Sequence, residues 1–232
     1  MAASASQVRS ALNRLADDGV ARLAAAIPLL SGSPESMRSD LLDLVPSVVF
    51  TYTDGSSALA ADWYDDLREE ASPPKLYLAE PVVADRSEKV HRLAAWAAEP
   101  LFDREPSLDK VALRLLPDVQ KEIARPFRDT ITTNQRRDPG AVGWRRIASG
   151  QGCKFCRALA DKGAIFKEST ARFAAHGNCH CSAAPVFDGQ DGPEANAMQY
   201  VASQRVRSPQ EKQALRDYLN ENYPDAHGRG VP

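Results

Sequence analysis

Hydrophobic residues in the first half of the chain recur at helical spacing. The first stripe follows Ser6, which can cap a helix, and is expected to end at Pro28. A second, short helical segment begins at Pro34 and is expected to stop at Pro46, because proline disfavours helix in the residue before it. The stripe of the first helix consists of Val8, Leu12, Leu15, Val20 and Leu23.

A third helix is predicted after Asp54-Gly55, in residues 57–70. Leu59, Trp63 and Leu67 fall on one face of it at intervals of four residues, which is the pattern of a buried helix face. Aromatic residues at this spacing are far more often packing residues than ligand contacts, so Trp63 and Tyr64 are predicted to anchor the core.

Two more helices are predicted between residues 72 and 137. A proline-punctuated, extended stretch first covers residues 72–85, and Ser87 then starts a helix. A longer helix is expected to open at Ser107. Its internal residues Pro117 and Pro126 each remove a backbone hydrogen bond and are expected to kink it.

The pattern changes at Asp138-Pro139-Gly140, a strong turn signal. Three short β-like pieces follow, in residues 144–147, 163–166 and 183–187, and then helices near 194–206 and 209–220. The predicted fold class is therefore α+β, with a mainly helical N-terminal part, a small zinc-stabilised module containing β-strands, and C-terminal helices. The predicted domains are a helical domain at 1–137, the zinc module at 138–190, and helices with a flexible tail at 191–232.

The composition is that of an ordinary globular protein, with 43% hydrophobic and 26% charged residues and a formal net charge of −2. Charge is unevenly distributed. Residues 114–157 contain ten Lys and Arg against four acids, a local charge of +6 that leaves −8 for the remainder.

The opening residues lack a signal-peptide pattern, and no stretch has the roughly 18 consecutive apolar residues of a membrane span. We therefore expect synthesis in the cytoplasm and no membrane partner.

All four cysteines lie close together in the second half. Cys153 and Cys156 form a C-x2-C pair, and the segment His176-Gly-Asn-Cys179-His-Cys181 follows. In a reducing compartment, this clustering favours metal ligation over disulfides, and the spacing is typical of a tetrahedral zinc site in which the first pair comes from one tight turn. The predicted cofactor is one Zn²⁺ ion.

These residues offer more ligands than zinc needs. The preferred set is Cys153, Cys156, His176 and either Cys179 or Cys181, which would give a closed, structural site. An all-thiolate site is the alternative. His180 alternates in direction with its neighbours and is expected to face solvent or a neighbouring ligand rather than the metal. The competing interpretation is a set of buried cysteines without metal.

Zinc would supply stability that the composition of this region lacks. The segment is rich in Gly, Asn and Asp and has little apolar material. Structural zinc contributes about 10 to 16 kcal/mol of apparent binding free energy in finger peptides, which is comparable with the stability of a whole domain. Loss of Cys156 is therefore expected to unfold this region.

The same residues resemble a known family. Trp144-Arg-Arg-Ile-Ala148, the segment from Cys153 to Ala160, Lys162 to Phe166, and the His176 to Cys181 motif are similar to the MuF-like minor head proteins of tailed bacteriophages, especially those of actinobacterial phages. Weaker similarity extends the match to roughly residues 58–187. The family usually has H-P-N-C-R-C at the last motif, so Gly177 and His180 depart from it while the candidate ligands remain.

The resemblance implies a virion component present in few copies. It would lie inside the head at the portal vertex, after a phase in the host cytoplasm during assembly, and would assist head assembly or genome packaging and delivery. The implied partners are the portal protein and the major capsid protein. Some relatives are fused to capsid maturation proteases, which gives a first alternative function.

Direct chemistry supports the alternatives less well. A protease would need a nucleophile such as Cys179 or Cys181 beside His176 or His180, but zinc-bound thiolates are not available for attack. A zinc-stabilised DNA-binding protein or nuclease is the second alternative, although no acidic pair suited to catalytic magnesium is apparent. No catalytic residue is assigned. Non-specific contacts to packaged DNA are predicted for Arg136, Arg137, Arg145 and Arg146, unless these arginines form a solvated face or ion pairs.

Overall fold

The computed structural model describes residues 2–148, 154–161, 181–187 and 208–223. Within these ranges the chain is mostly helical, with one two-stranded sheet, which confirms the predicted α+β class. The elements in chain order are α1 (Ala5–Ala26), α2 (Pro34–Ala71), α3 (Ser87–Ala97), α4 (Leu108–Arg137), β1 (Ala141–Ile147), α5 (Lys154–Asp161), β2 (Ser182–Phe187) and α6 (Pro209–Asn222).

Helix α1 begins two residues earlier than predicted. Ser4, rather than Ser6, is the N-cap, and its side chain accepts a hydrogen bond from the Gln7 backbone N–H. The Gln7 side chain accepts one from the Ser4 N–H in return, at 2.8 Å. This reciprocal capping box satisfies two backbone donors at once and so fixes the start of the helix at Ser4.

Helix α2 corrects the prediction that Pro46 stops a helix. It runs unbroken through Pro46 and through Asp54-Gly55, so two predicted helices are one element of 38 residues. An internal proline costs about 3 kcal/mol in an exposed helix. Here the residues on both sides are buried against the other helices, and this packing outweighs the local cost. The buried neighbours are Leu41, Val45, Val48 and Val49.

Helix α4 is the central element, and its predicted start at Ser107 is confirmed. Ser107 caps it, and the helix continues through Pro117 and Pro126. It contacts α1, α2, α3 and both strands of the sheet. Trp63 and Tyr64 of α2 are buried against this part of the molecule, as predicted.

The segment between α2 and α3 is extended, as predicted, and α4 holds it through side chains. Asn134 accepts hydrogen bonds from the Tyr77 hydroxyl at 2.6 Å and from the Glu80 backbone N–H at 2.9 Å, and it donates to the Glu80 carbonyl. Thr130 accepts a bond from the Val82 N–H at 3.0 Å. These bonds replace the strand partners that an extended backbone otherwise requires.

The sheet is antiparallel and packs against α2 and α4. Trp144 of β1 pairs with Pro185 of β2, and Arg146 pairs with Ala183. Trp144, Ala183 and Phe187 share one hydrophobic cluster with α2 and α4 residues. Helix α4 ends at Arg137, and this cluster includes residues on both sides of that position, where the domain boundary stays a prediction.

The predicted strands at 144–147 and 183–187 and the helix at 209–220 are confirmed by β1, β2 and α6. The predicted strand at 163–166, the helix at 194–206 and the tail beyond 223 lie outside the described residues. None of the described helices combines the length and hydrophobicity needed to cross a bilayer.

Candidate metal centre

Two of the five predicted metal ligands meet where α5 and β2 come together. Cys156 lies in the first turn of α5, and Cys181 directly precedes β2. Their Sγ atoms are 3.3 Å apart, and both residues are buried. A disulfide requires about 2.0 Å between sulfurs, so the two cysteines are adjacent but not bonded.

The location of Cys156 corrects one detail of the sequence interpretation. We expected the C-x2-C pair on a tight turn, but residues from Lys154 onward form helix α5. The remaining predicted ligands, Cys153, His176 and Cys179, lie outside the described residues, as does His180. Within the described ranges, no group of three or more His, Cys, Asp or Glu side chains is assembled. Cys156 and Cys181 are therefore the two predicted ligands that the described part of the chain brings together.

Arg146 points at this sulfur pair. Its Nη1 atom lies 3.0 Å from Cys181 Sγ and 3.5 Å from Cys156 Sγ, and the residue is only 5% exposed. Side chains alternate between the two faces of a strand, so the adjacent Arg145 is exposed while Trp144 and Arg146 face inward. The site thus combines two sulfurs with the buried guanidinium group that contacts them.

Helix α4 fixes the sulfur pair to the body of the protein. The Arg128 side chain is buried, and its Nε donates a hydrogen bond of 3.0 Å to the Cys181 carbonyl oxygen. At the end of β1, Arg9 of α1 donates to the Ala148 carbonyl. On the other side, Arg157 of α5 donates to the Tyr223 carbonyl after α6. These bonds join α4 to the start of β2, α1 to the end of β1, and α5 to the end of α6.

The geometry and the donor types fit a thiophilic cation. Two sulfurs bonded to the same tetrahedral zinc lie about 3.8 Å apart, given Zn–S bonds of about 2.3 Å. The observed separation of 3.3 Å is therefore within about half an ångström of the zinc-bound distance. Thiolate ligands select zinc over the hard cations that carboxylates prefer.

The structure changes the interpretation of the basic stretch. Arg146 is buried against the sulfurs, so little of its side chain is available to a phosphate, and its predicted DNA contact stays a prediction. The other three predicted DNA contacts, at Arg136, Arg137 and Arg145, involve exposed side chains and stay predictions. Arg137 also forms an ion pair of 3.1 Å with Glu80. Several other cations of the stretch have acidic partners. These pairs are Arg114 with Glu99, Lys121 with Asp118, and Arg125 with Asp129.

The sequence analysis did not predict the buried ion pair between Arg68 and Asp138 beside the sheet. Asp138, interpreted only as a turn residue, is fully buried and accepts hydrogen bonds from Arg68 at 2.8 Å, Tyr64 at 3.2 Å and the Gly140 N–H at 2.8 Å. Burial, followed by the nearby Asp138 charge, strongly raises the pKa of Tyr64. The partners are about 70 positions apart in sequence, and no local pattern connects them.

Glu122 of α4 forms a second buried charge cluster. Arg86 donates to it at 2.7 Å, and Lys89 of α3 donates to its other carboxylate oxygen. Burial by itself would raise the pKa of Glu122, but the hydrogen bonds and charges of Arg86 and Lys89 outweigh it, and the net pKa is lowered. The carboxylate therefore stays ionised in the folded protein and holds α3 to α4.

Comparison with known proteins identifies one family. The family model described as VG15 protein matches residues 1–204, which includes all five predicted metal ligands. No curated protein and no solved structure matches the chain.

Proposed function

The chain belongs to the VG15 protein family, a viral family, and on this premise we propose that it is a structural minor component of a tailed-phage head. In this proposal it lies inside the head near the portal, contacts the portal and major capsid proteins, and assists head assembly or genome packaging and delivery. The role requires binding surfaces held in fixed relative positions, and no turnover.

The observation that carries the proposal is the use of the buried charged groups. Asp138 joins α2 to the turn before β1, and Glu122 joins α4 to Arg86 and α3. Arg128 joins α4 to the start of β2. Each of these groups connects elements distant in sequence, which is how a rigid scaffold uses polar atoms, since satisfied buried networks specify one arrangement.

We further propose that Cys156 and Cys181 are two ligands of a structural zinc ion. Cys153 and His176 would complete the site. The third thiolate could come from Cys179 or Cys181, and the contact between Cys156 and Cys181 favours Cys181. Four protein ligands leave no open position for substrate. Zinc would then lock α5 to the start of β2, next to the buried Arg128.

The proposed contact with packaged DNA is non-specific. It rests on the exposed side chains of Arg136 and Arg137 at the end of α4 and of Arg145 on β1. Arginines bind phosphate oxygens without reading bases, so this contact would be weak and salt-sensitive.

The deciding experiment is to locate the chain in purified phage particles. We expect a few copies per virion, resistant to external protease while the head is intact, and cryo-electron microscopy density for this fold beside the portal. Pull-down with tagged portal protein from infected cells should recover the chain. The same pull-down with a tagged tail protein is the negative control and should not recover it. Absence from virions, or turnover of capsid protein or DNA by the purified chain, would contradict a structural role.

A further inference from the structure

Arg146 occupies an unusual place for an arginine. Its side chain lies on the inward face of a two-stranded sheet, on the same face as Trp144, and its terminal nitrogen is within 3.5 Å of two sulfur atoms. Fully buried arginines are rare because the desolvated positive charge needs a negative partner or well-placed acceptors nearby. The chemistry of the two sulfurs therefore bears on why an arginine stands here.

A metal site of the proposed composition supplies the matching charge. Zinc carries two positive charges, and three thiolates with one neutral imidazole leave the complex with one net negative charge. Neutral thiols would be weak acceptors for a buried guanidinium, whereas metal-bound thiolates are strong ones. The single positive charge of Arg146 equals the net negative charge of a Cys₃His zinc complex.

From this juxtaposition we propose that Arg146 is the counter-charge of the metal centre, donating hydrogen bonds to the thiolates of Cys181 and Cys156 and thereby raising the affinity for zinc. The inference rests on the zinc site proposed above and deepens it. A single guanidinium nitrogen, Nη1, lies within reach of both sulfurs, and the shorter side chain of a lysine is not expected to bring its ammonium to the same position. Arg146 would act through the ligands and not by touching the metal.

The neighbouring residue provides a matched control. Arg145 is on the same strand, has the same side chain and is exposed on the opposite face. Arg145→Gln and Arg146→Gln therefore remove the same charge from the same segment, and only the second removes the contact with sulfur. Arg146→Lys keeps the charge but shortens the side chain that carries it.

The test is zinc affinity measured on the full-length chain by competition with a chromophoric chelator. We expect Arg145→Gln to match the unmodified protein, Arg146→Gln to bind zinc about 10- to 100-fold more weakly, and Arg146→Lys to fall between them. Equal affinity in Arg145→Gln and Arg146→Gln would overturn the role of Arg146 while leaving the zinc site in place. An unmodified, folded chain that binds no zinc would overturn the zinc site itself and this inference with it.

Cobalt substitution covers the case in which Arg146→Gln does not fold. Removing hydrogen bonds from metal-bound thiolates raises the energy of the sulfur lone pairs, so the thiolate-to-cobalt charge-transfer absorption of Arg146→Lys should move to longer wavelength. Arg145→Lys should leave that absorption unchanged. An identical cobalt spectrum in both lysine variants would contradict the proposed hydrogen bonds.

Discussion

The helical body and the sulfur-containing junction are stabilised by different means. The body, formed by α1 to α4, buries large aliphatic and aromatic side chains in two clusters that span several helices. At the junction of β1, α5 and β2, Trp144 and Phe187 belong to the second of these clusters, whereas the sulfur pair is in contact with Arg146. The body relies mainly on apolar area, and the part of the junction that carries the sulfurs relies on a few specific polar and sulfur atoms.

This difference teaches where the molecule tolerates change. Apolar burial is distributed over many residues, so one substitution in the body removes a fraction of its stability. At the junction, one sulfur or one guanidinium is a large part of the local stabilisation. The junction should therefore be lost as a unit, while the body persists.

The largest expected effect follows from removing a sulfur ligand. Cys156→Ser or Cys181→Ser should abolish zinc binding and remove a stabilisation on the order of 10 kcal/mol from the junction. Hydrogen exchange measured by mass spectrometry should then show fast exchange in α5 and β2 while α2 and α4 remain protected. A chelator added to the unmodified protein should have the same effect.

Cys179→Ser is the control for that experiment, because Cys181 and not Cys179 is proposed as the ligand beside Cys156. It should keep one zinc per chain and the exchange pattern of the unmodified protein. Loss of zinc in Cys179→Ser with retention in Cys181→Ser would reverse this assignment.

A second prediction concerns the ion pair at the border between the two regions. Asp138→Asn leaves Arg68 without its buried counter-charge and should lower the free energy of unfolding by about 3 to 5 kcal/mol. Urea denaturation followed by circular dichroism measures this. Asp129→Asn breaks a partly exposed pair with Arg125 and should cost less than about 1 kcal/mol. If both variants lost the same free energy of unfolding, burial would not explain the difference expected between the Arg68–Asp138 and Arg125–Asp129 pairs.

A third prediction uses acid to weaken the body rather than the junction. The pKa of Glu122 in the folded protein is below its ordinary value of 4.5, so its contribution is complete above that value and is lost as pH falls through the lowered pKa. Urea midpoints should therefore decrease below about pH 4.5, and Glu122→Gln should make this decrease shallower. An unchanged acid profile in Glu122→Gln would assign the effect to other carboxylates.

The smallest effect on stability is expected at the surface. Replacing Arg136, Arg137 and Arg145 together by Gln should change the free energy of unfolding by no more than about 0.5 kcal/mol per site. DNA binding should nevertheless weaken, and the slope of log affinity against log salt should become shallower by up to about 3 units. Fluorescence anisotropy with a labelled duplex over several salt concentrations measures both, and an unchanged slope would remove these arginines from the DNA contact.

The sequence by itself determined the features that depend on local order. The periodic stripe of α1, the start of α4 at Ser107, the extended segment after Ser72 and the turn at Asp138 each follow from the preferences of neighbouring residues. Each is present in the structure. The spacing of the cysteines also predicted that separate segments meet around sulfur, and the contact of Cys156 with Cys181 agrees with that expectation.

Only the tertiary structure decided the roles of Pro46, Asp138 and Arg146. Pro46 is inside a helix because packing on both sides outweighs its local cost, which no local pattern records. Arg146 and Arg145 are adjacent and chemically identical, yet one faces buried sulfur and the other solvent. Residues distant in sequence decide which face of a strand is covered. Because successive side chains of a strand point to opposite faces, two adjacent residues then have opposite environments.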